Sequence, residues 1–160
     1  MSAYIRSAIV GDEVVLARLN RFAQELHVER RPDLFRAGTV QEVAAWFRSR
    51  LEDPATNAWI AEDSDAPVGY LIAVLHDRPA GPFTVARRFC EIDQIAVDPT
   101  RRGQGIARAL MVQALAQART DGIHEIEATS WSFNDRAHAM FRRLGFVPKT
   151  VRFELTGESS

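Results

Sequence analysis

Cysteine is almost missing from this sequence. The 160 residues contain one cysteine, Cys90, so no disulfide can form within the chain. The four histidines do not have the spacing of metal ligands, and one cysteine adds little to a metal site. We therefore expect neither a disulfide scaffold nor a bound metal. The histidines are His27, His76, His124 and His138.

The sequence also has no excess of one charge and no long apolar run. The chain has 20 basic and 21 acidic residues and a net charge of −1, which gives no electrostatic reason to expect binding to nucleic acid or to an anionic membrane. No apolar run is long enough to cross a bilayer, and the first twenty residues lack the apolar core of a secretory signal. We expect a cytoplasmic protein that binds neither partner.

The remaining composition is that of one folded domain. Hydrophobic residues make up 46% of the chain and charged residues 26%, and no linker or low-complexity segment divides it. A chain of 160 residues is also long enough to bury a sizeable core. We therefore predict a single domain over residues 1–160.

The apolar pattern predicts the order β-α-α-β-β-β-α-β-α-β. Tight turns join the early strands, and this favours an α/β fold with a mixed sheet and helices on both faces over a doubly wound parallel sheet. Six to seven strands are expected, because residues 146–155 can supply one or two. The other predicted strands are 4–9, 58–62, 67–76, 88–97 and 124–129. Four helices are predicted. The first follows the N-cap Asp12 and ends near His27, and the second begins at the capping box 39–42. The third begins at residue 106 and ends before Gly122, and the fourth covers residues 134–144.

The segment Arg101-Arg102-Gly103-Gln104-Gly105-Ile106-Ala107 carries most of the functional information. It lies between a predicted strand and a long amphipathic helix. Backbone N–H groups at a helix start lack partners within the helix, and the helix dipole favours negative charge there. Glycines allow close approach of a ligand to the backbone, and the arginines add positive charge. The segment therefore predicts a binding site for phosphate.

Two other phosphate-binding patterns fit this segment less well. In a dinucleotide fingerprint a third glycine packs the helix onto the strand, and Arg108 occupies that position. Glu125 and Glu127 do lie near the expected acidic position, so a nicotinamide-nucleotide enzyme remains an alternative. A P-loop is excluded, because no Gly-Lys-Ser/Thr sequence follows.

Two blocks of sequence resemble the GNAT N-acetyltransferase superfamily. The run from Ile92 to Pro99, followed by Arg102-x-x-Gly105-x-Ala107, is similar to the acyl-CoA signature of that family. Residues 134–137 and 141–146 resemble its penultimate strand–helix–strand unit. The resemblance implies a GNAT-like fold, acetyl-CoA as co-substrate without a metal, and direct attack of a primary amine on the thioester in a ternary complex.

The resemblance also implies where acetyl-CoA binds. Its pyrophosphate would contact the backbone at the helix start, and its pantetheine arm would pair with the strand that ends at Val97. A main-chain N–H near the end of that strand would stabilise the oxyanion. The implied cofactor-binding residues are Ile95, Ala96, Val97, Arg102, Gly103, Gln104, Gly105, Ile106, Ala107, Asn134 and Phe141.

Proton transfer is harder to assign from the sequence. Glu91 and Asp93 alternate onto one face of a strand, and we predict that one of them, with Glu91 preferred, is the general base. A surface or salt-bridged carboxylate explains these residues equally well. Phe141 stands where the family frequently has a tyrosine that protonates the thiolate, and phenylalanine has no such proton. Either another group is the acid, or the thiolate leaves unprotonated.

The acceptor is not determined by the resemblance. The acceptor can be a small-molecule amine, an amino acid, or a peptide N-terminus or lysine. The oligomeric state is also open, and a homodimer is one possibility. In the family the segment between the first two helices commonly borders the acceptor pocket, which makes His27, Glu29 and Arg31 candidate substrate contacts. The polarity of a surface loop explains them as well. The alternative function is a non-catalytic acyl-CoA-binding sensor or interaction module.

Overall fold

The computed structural model describes residues 3–157. Within that range the chain forms five strands, four α-helices and one short 3₁₀ helix. The strands are β1 Tyr4–Ser7, β2 Thr56–Asp63, β3 Ala66–Arg78, β4 Arg87–Val97 and β5 Ile126–Ala128. The helices are α1 Glu13–Arg30, α2 Val40–Glu52, α3 Ile106–Thr120 and α4 Asp135–Arg143, and the 3₁₀ helix is Pro99–Arg101.

The five strands form one mixed sheet in the order β1-β2-β3-β4-β5. The first three pairings are antiparallel, and β4 and β5 are parallel. Ser64 and Asp65 form the turn between β2 and β3 with positive φ angles of 51° and 64°, which suit the twist of a hairpin. A parallel pair needs a longer crossover, and α3 lies on the crossover between β4 and β5. The predicted mixed sheet is confirmed.

Alternation along the strands creates two apolar faces. Tyr70 and Ile72 on β3 join a buried cluster with Leu16 of α1 and Phe47 of α2. Helix α3 contacts strands β2, β3 and β4, and its residues Leu110, Met111, Ala114 and Ala118 are buried. The core therefore consists of apolar layers between helices and sheet.

The predicted number of strands is wrong for the part of the chain that the structure describes. Residues 146–157 belong to no helix or strand, so residues 3–157 contain five strands rather than six or seven. Alternating apolar residues in 146–155 favour extended backbone locally, but a strand exists only where a partner completes the hydrogen-bonded ladder. Helix α1 also continues to Arg30, beyond the predicted end near His27, and β5 has only three residues.

Contacts within the chain define two units. The first ends at Thr129 and contains the whole sheet with α1, α2 and α3. The second begins at Ser130 and contains α4. A single domain over residues 1–160 stays a prediction, and its outermost residues 1, 2 and 158–160 lie outside the described residues.

Candidate active site

Strand β4 has an open edge near its end. It pairs with β3 as far as Val97, but it pairs with β5 only from Cys90 to Ile92. Residues 93–97 therefore have no strand neighbour on the β5 side among residues 3–157. An extended ligand can bind to such an edge through its own amide groups. Ile95, Ala96 and Val97, the residues expected to face the thioester and pantetheine, lie on this edge.

A β-bulge at Asp93 precedes the open edge. Ile72 lies opposite Gln94, and the next residue, Ala73, lies opposite Ile92, so Asp93 has no partner on β3. The extra residue reverses the alternation that follows it. As a result Ala96 joins the buried cluster beneath α1 and α2, which uninterrupted alternation from Ile92 would not produce.

A partly buried hydrogen-bond network holds the chain just after the bulge. The Tyr70 hydroxyl donates to Oε1 of Gln94 at 2.7 Å. The Asn20 amide donates to the Tyr70 oxygen at 3.0 Å and to Gln94 Oε1 at 3.3 Å. Burial is the main cause of a raised Tyr70 pKa, so its hydroxyl stays neutral. Sequence reasoning missed this network, because its three residues are far apart in the chain.

The turn after β4 uses one of the arginines that the sequence assigned to phosphate. Oδ1 of Asp98 accepts hydrogen bonds from the N–H and hydroxyl of Thr100, at 2.9 and 2.8 Å. The Arg101 guanidinium forms an ion pair with Asp63 at the end of β2. Arg101 therefore anchors this turn to the β2–β3 hairpin, and its charge is largely neutralised there.

The start of α3 presents unpaired backbone donors. Gly105 is its N-cap residue, in the left-handed conformation with φ 78°, and provides no side-chain cap. The first helical hydrogen bond runs from Ala109 N–H to the Gly105 carbonyl at 2.9 Å, so the N–H groups of residues 106–108 precede that ladder. Gly103 also has a positive φ, of 80°, and the stretch 102–105 is exposed. This geometry suits an anion.

Gly69 on β3 packs closely against both the end of β4 and the start of α3. A Cβ atom at Gly69 would lie 2.9 Å from the Ala96 carbonyl oxygen, 3.2 Å from Val97 Cγ2 and 3.4 Å from Ile106 Cγ2. The missing side chain therefore lets β3 approach the end of β4 and the first residue of α3 closely. Ile106 is buried, so its contribution to a ligand site is its backbone N–H.

The two candidate bases have different surroundings. Glu91 Oε1 lies 3.0 Å from His76 Nε2, and the His76 ring stacks on Phe89 with 4.8 Å between centroids. Asp93 is partly buried, and this burial is the main cause of its raised pKa. The Glu91 charge raises it further, while Arg50 and His76 lower it. The Glu91–His76 pair was not predicted, because it depends on the register in which β3 and β4 pair.

The candidate substrate contacts surround the end of α1. His27 and Glu29 lie within the helix rather than in a loop, and Arg31 follows it directly. The His27 ring stacks on Phe35 at 5.0 Å, and burial lowers its pKa. Arg31 donates two hydrogen bonds to Asp33, at 2.8 and 2.7 Å, while Glu29 is exposed. Their role toward an acceptor stays a prediction.

In the second unit, Asn134 and Phe141 have local partners. The Asn134 side-chain oxygen accepts from the Ala137 N–H at 3.2 Å and caps α4. The Phe141 ring contacts Phe146 with 5.4 Å between centroids. The cofactor contacts expected of both residues stay predictions.

Three further observations concern other chemistries. Among residues 3–157 no group of three or more His, Cys, Asp or Glu side chains is arranged to hold a metal ion. No helix in that range has the length and apolar character needed to cross a membrane. Cys90 is buried, and burial raises the pKa of its thiol to about 11, so it is a poor nucleophile near neutral pH.

Comparison with known families confirms the resemblance seen in the sequence. The sequence model described as "Acetyltransferase (GNAT) family" matches residues 20–146, which include the open edge of β4 and the start of α3. The chain belongs to the GNAT acetyltransferase family. Solved structures share the fold of this chain. The tetramutant of the BH1408 protein from Bacillus halodurans is 27% identical, with a TM-score of 0.90 over 96% of this chain and 99% of that one.

Curated relatives that match this chain are named acetyltransferases. Mycothiol acetyltransferase of Amycolatopsis mediterranei is 28% identical over 144 residues, 89% of this chain and 46% of that protein. Human N-acetyltransferase 8B is 30% identical over 99 residues, 62% of this chain and 42% of that protein. This chain therefore spans less than half the length of these relatives. A predicted acetyltransferase with acetyl-CoA from Clostridium acetobutylicum shares the fold, with a TM-score of 0.73, 19% identity and 96% coverage of both chains.

Proposed function

We propose that this GNAT chain transfers the acetyl group of acetyl-CoA to a primary amine, which attacks the thioester directly in a ternary complex. One observation carries the proposal. The open edge of β4 at residues 93–97 leads, through one short turn, to the unpaired N–H groups at the start of α3. An extended amide-containing arm that ends in a pyrophosphate matches both parts of this surface.

Each part of the donor site has a proposed task. The N–H groups of residues 102–107 bind the pyrophosphate, with Arg102 supplying charge. Residues 95–97 pair with the pantetheine arm, and one N–H among them stabilises the developing oxyanion. Asn134 and Phe141 are proposed as further cofactor contacts.

The acceptor side is proposed from side-chain chemistry. The carboxylates of Glu91 and Asp93 on β4 can attract an ammonium group, and one of the two is proposed to take its proton. His27, Glu29 and Arg31 are proposed to contact the rest of the acceptor, which is a small amine, an amino acid, or a peptide N-terminus or lysine. Phe141 supplies no proton, and a thiol with an ordinary pKa of about 8.5 can leave as the thiolate.

A variant of Gly105 tests the donor site. Gly105→Ala places a methyl group at the helix start and strains a backbone with φ 78°. Gly122→Ala is the matched control, since Gly122 has φ 72° and equally open surroundings but lies beyond the other end of α3. The strain should cost each variant about 1–2 kcal/mol of stability. We expect KM for acetyl-CoA to rise at least about tenfold (about 1.4 kcal/mol) only in Gly105→Ala.

Free thiol released from acetyl-CoA is the measurement, with amines of each acceptor class supplied in turn. Equal KM values in the two variants would place the pyrophosphate elsewhere. The sensor alternative, which the missing tyrosine at Phe141 favours, makes a different prediction. It requires clear binding of acetyl-CoA without thiol release above background for any amine.

A further inference from the structure

The carboxylate of Asp93 is partly buried and has no partner among residues 3–157. It makes no hydrogen bond or ion pair within that range, whereas Glu91 contacts His76 and Asp63 contacts Arg101. A desolvated carboxylate without a partner opposes folding. A group of this kind is expected where a ligand completes its contacts, and its position beside the open edge of β4 indicates which ligand.

Asp93 lies closer than Glu91 to the end of β4, where the thioester is proposed to bind. Asp93 is the residue before Gln94, and the open edge that follows runs to Val97. Glu91 lies two residues earlier, about 7 Å further along the strand, in a regular ladder position opposite Val74. Bulges commonly redirect a side chain beside an active site. The bulge also removes Asp93 from the ladder, while the buried hydroxyl of Tyr70 secures Gln94 beside it.

We infer that Asp93, rather than Glu91, accepts the proton of the acceptor amine, and that Glu91 and His76 are positioning residues that adjust its charge. This inference rests on the proposed acetyl transfer. Asp93 takes one proton from the bound ammonium and later gives it to water. The amine nitrogen then forms a bond to the carbonyl carbon, the carbon–sulfur bond breaks, and the second amine proton leaves with the thiolate as free thiol.

Charged groups on three elements act on Asp93. Burial and the charge of Glu91 on β4 favour the protonated form of Asp93. Arg50 on α2 and His76 on β3 favour its ionised form. The Tyr70 hydroxyl is in the same electrostatic environment, since the Asp93 charge contributes to its raised pKa. A carboxylate with a raised pKa is a better proton acceptor near neutral pH than an ordinary aspartate.

Two isosteric variants and one control test the inference. Asp93→Asn should lower kcat about 10²–10⁴-fold at neutral pH, with KM for acetyl-CoA nearly unchanged and with the loss shrinking at alkaline pH, where the amine is already neutral. Glu91→Gln should retain most of kcat and move the acidic limb of the pH profile to lower pH, because it removes a negative neighbour of Asp93. Asp77→Asn is the control, an exposed aspartate on β3 that should change neither parameter.

The opposite pattern would overturn the assignment. If Asp93→Asn keeps kcat while Glu91→Gln loses it, Glu91 is the base, and the proposed acetyl transfer is unaffected. If Glu91→Gln leaves the pH profile unmoved, the positioning role of Glu91 is wrong. Thiol release by the unmodified protein with any amine supports the transfer reaction itself, so the two failures are distinguishable.

A second measurement needs no activity. Because the folded state holds the Asp93 proton more tightly than the unfolded state, the free energy of unfolding should fall as pH rises from the ordinary value of 3.8 through the raised value. The side chain in Asp93→Asn does not titrate, so the free energy of unfolding of this variant should not fall for that reason. The stability of the variant relative to the unmodified protein should therefore increase with pH across that window. Chemical unfolding measures both proteins, and a constant difference would overturn the inference.

Discussion

At the scale of single residues, Asp12 has other hydrogen-bond partners than the helix cap that the sequence predicted. Asp12 precedes α1 as predicted, but its carboxylate makes no capping hydrogen bond to the helix. It accepts instead from the Ile9 N–H at 2.9 Å and from both terminal nitrogens of Arg6, at 2.9 and 3.0 Å. Arg6 also donates to Glu62 at 2.7 Å. A helix cap is predicted from the residues next to it in the sequence. After folding, a strand residue such as Arg6 can bind the carboxylate in place of the helix N–H groups.

This exchange predicts a pH-dependent stability. Hydrogen bonding to Arg6 is the main cause of a lowered Asp12 pKa. The stabilisation is therefore present above the ordinary value of 3.8 and is lost as pH falls through the lower folded-state value. Asp12→Asn should cost about 1 kcal/mol at neutral pH, and the difference should shrink in acid.

Urea unfolding at several pH values measures the effect of Asp12→Asn. Glu52→Gln is the control, because the Arg48–Glu52 pair is exposed on both sides and should contribute little. An equal loss at acidic and neutral pH would show that Asp12 stabilises through packing rather than through its charge.

At the scale of elements, strand register determines the geometry of the site. The order of the described elements followed from apolar period and turn chemistry, both of which are local. The length of β5 and the bulge at Asp93 were not predicted, because they depend on which strands pair and over which residues. Both features are functional in our proposal, since the short β5 leaves the edge open and the bulge frees Asp93 from the ladder.

Gly69 allows a test at this scale. Gly69→Ala would place a methyl group 2.9 Å from the Ala96 carbonyl oxygen, so β3 and β4 must separate where the thioester is proposed to bind. We expect a stability loss of about 1–3 kcal/mol, as for other overpacked positions. KM for acetyl-CoA should rise as well, because Val97 and Ile106 would move with the backbone.

Gly81→Ala is the control for this variant. Gly81 lies in the loop between β3 and β4, and a Cβ there would meet only the Thr84 hydroxyl oxygen, at 3.3 Å. This variant should leave KM unchanged. Thermal unfolding and steady-state kinetics measure both properties, and an unchanged KM in a folded Gly69→Ala protein would contradict the positioning role of Gly69.

At the scale of the whole molecule, the core positions the donor site. Helix α3 is buried against the sheet along one side, so its first turn is held beside the end of β4. Both parts of the proposed donor surface belong to the first unit, which contains the complete sheet. Donor binding should therefore stabilise that unit as a whole.

Ligand-induced stabilisation tests this expectation. Acetyl-CoA at one hundred times its Kd should raise the free energy of unfolding by about 2.7 kcal/mol, because it binds only the folded state. Gly105→Ala should lose most of this gain at the same concentration, whereas Gly122→Ala should keep it. NAD should have no effect, and stabilisation by NAD without stabilisation by acetyl-CoA would favour the nicotinamide-nucleotide alternative.

The sequence by itself determined the mixed sheet and the order of its described elements, and it predicted a phosphate site at the helix start formed by residues 102–107. These features depend on neighbouring residues, since Gly103 and Gly105 permit the required backbone conformation and a helix start presents its own donors. Only the tertiary structure decided that Arg101 pairs with Asp63, that Glu91 contacts His76 and that Asp93 has no partner within residues 3–157. Those outcomes depend on register and on charges brought together from distant parts of the chain.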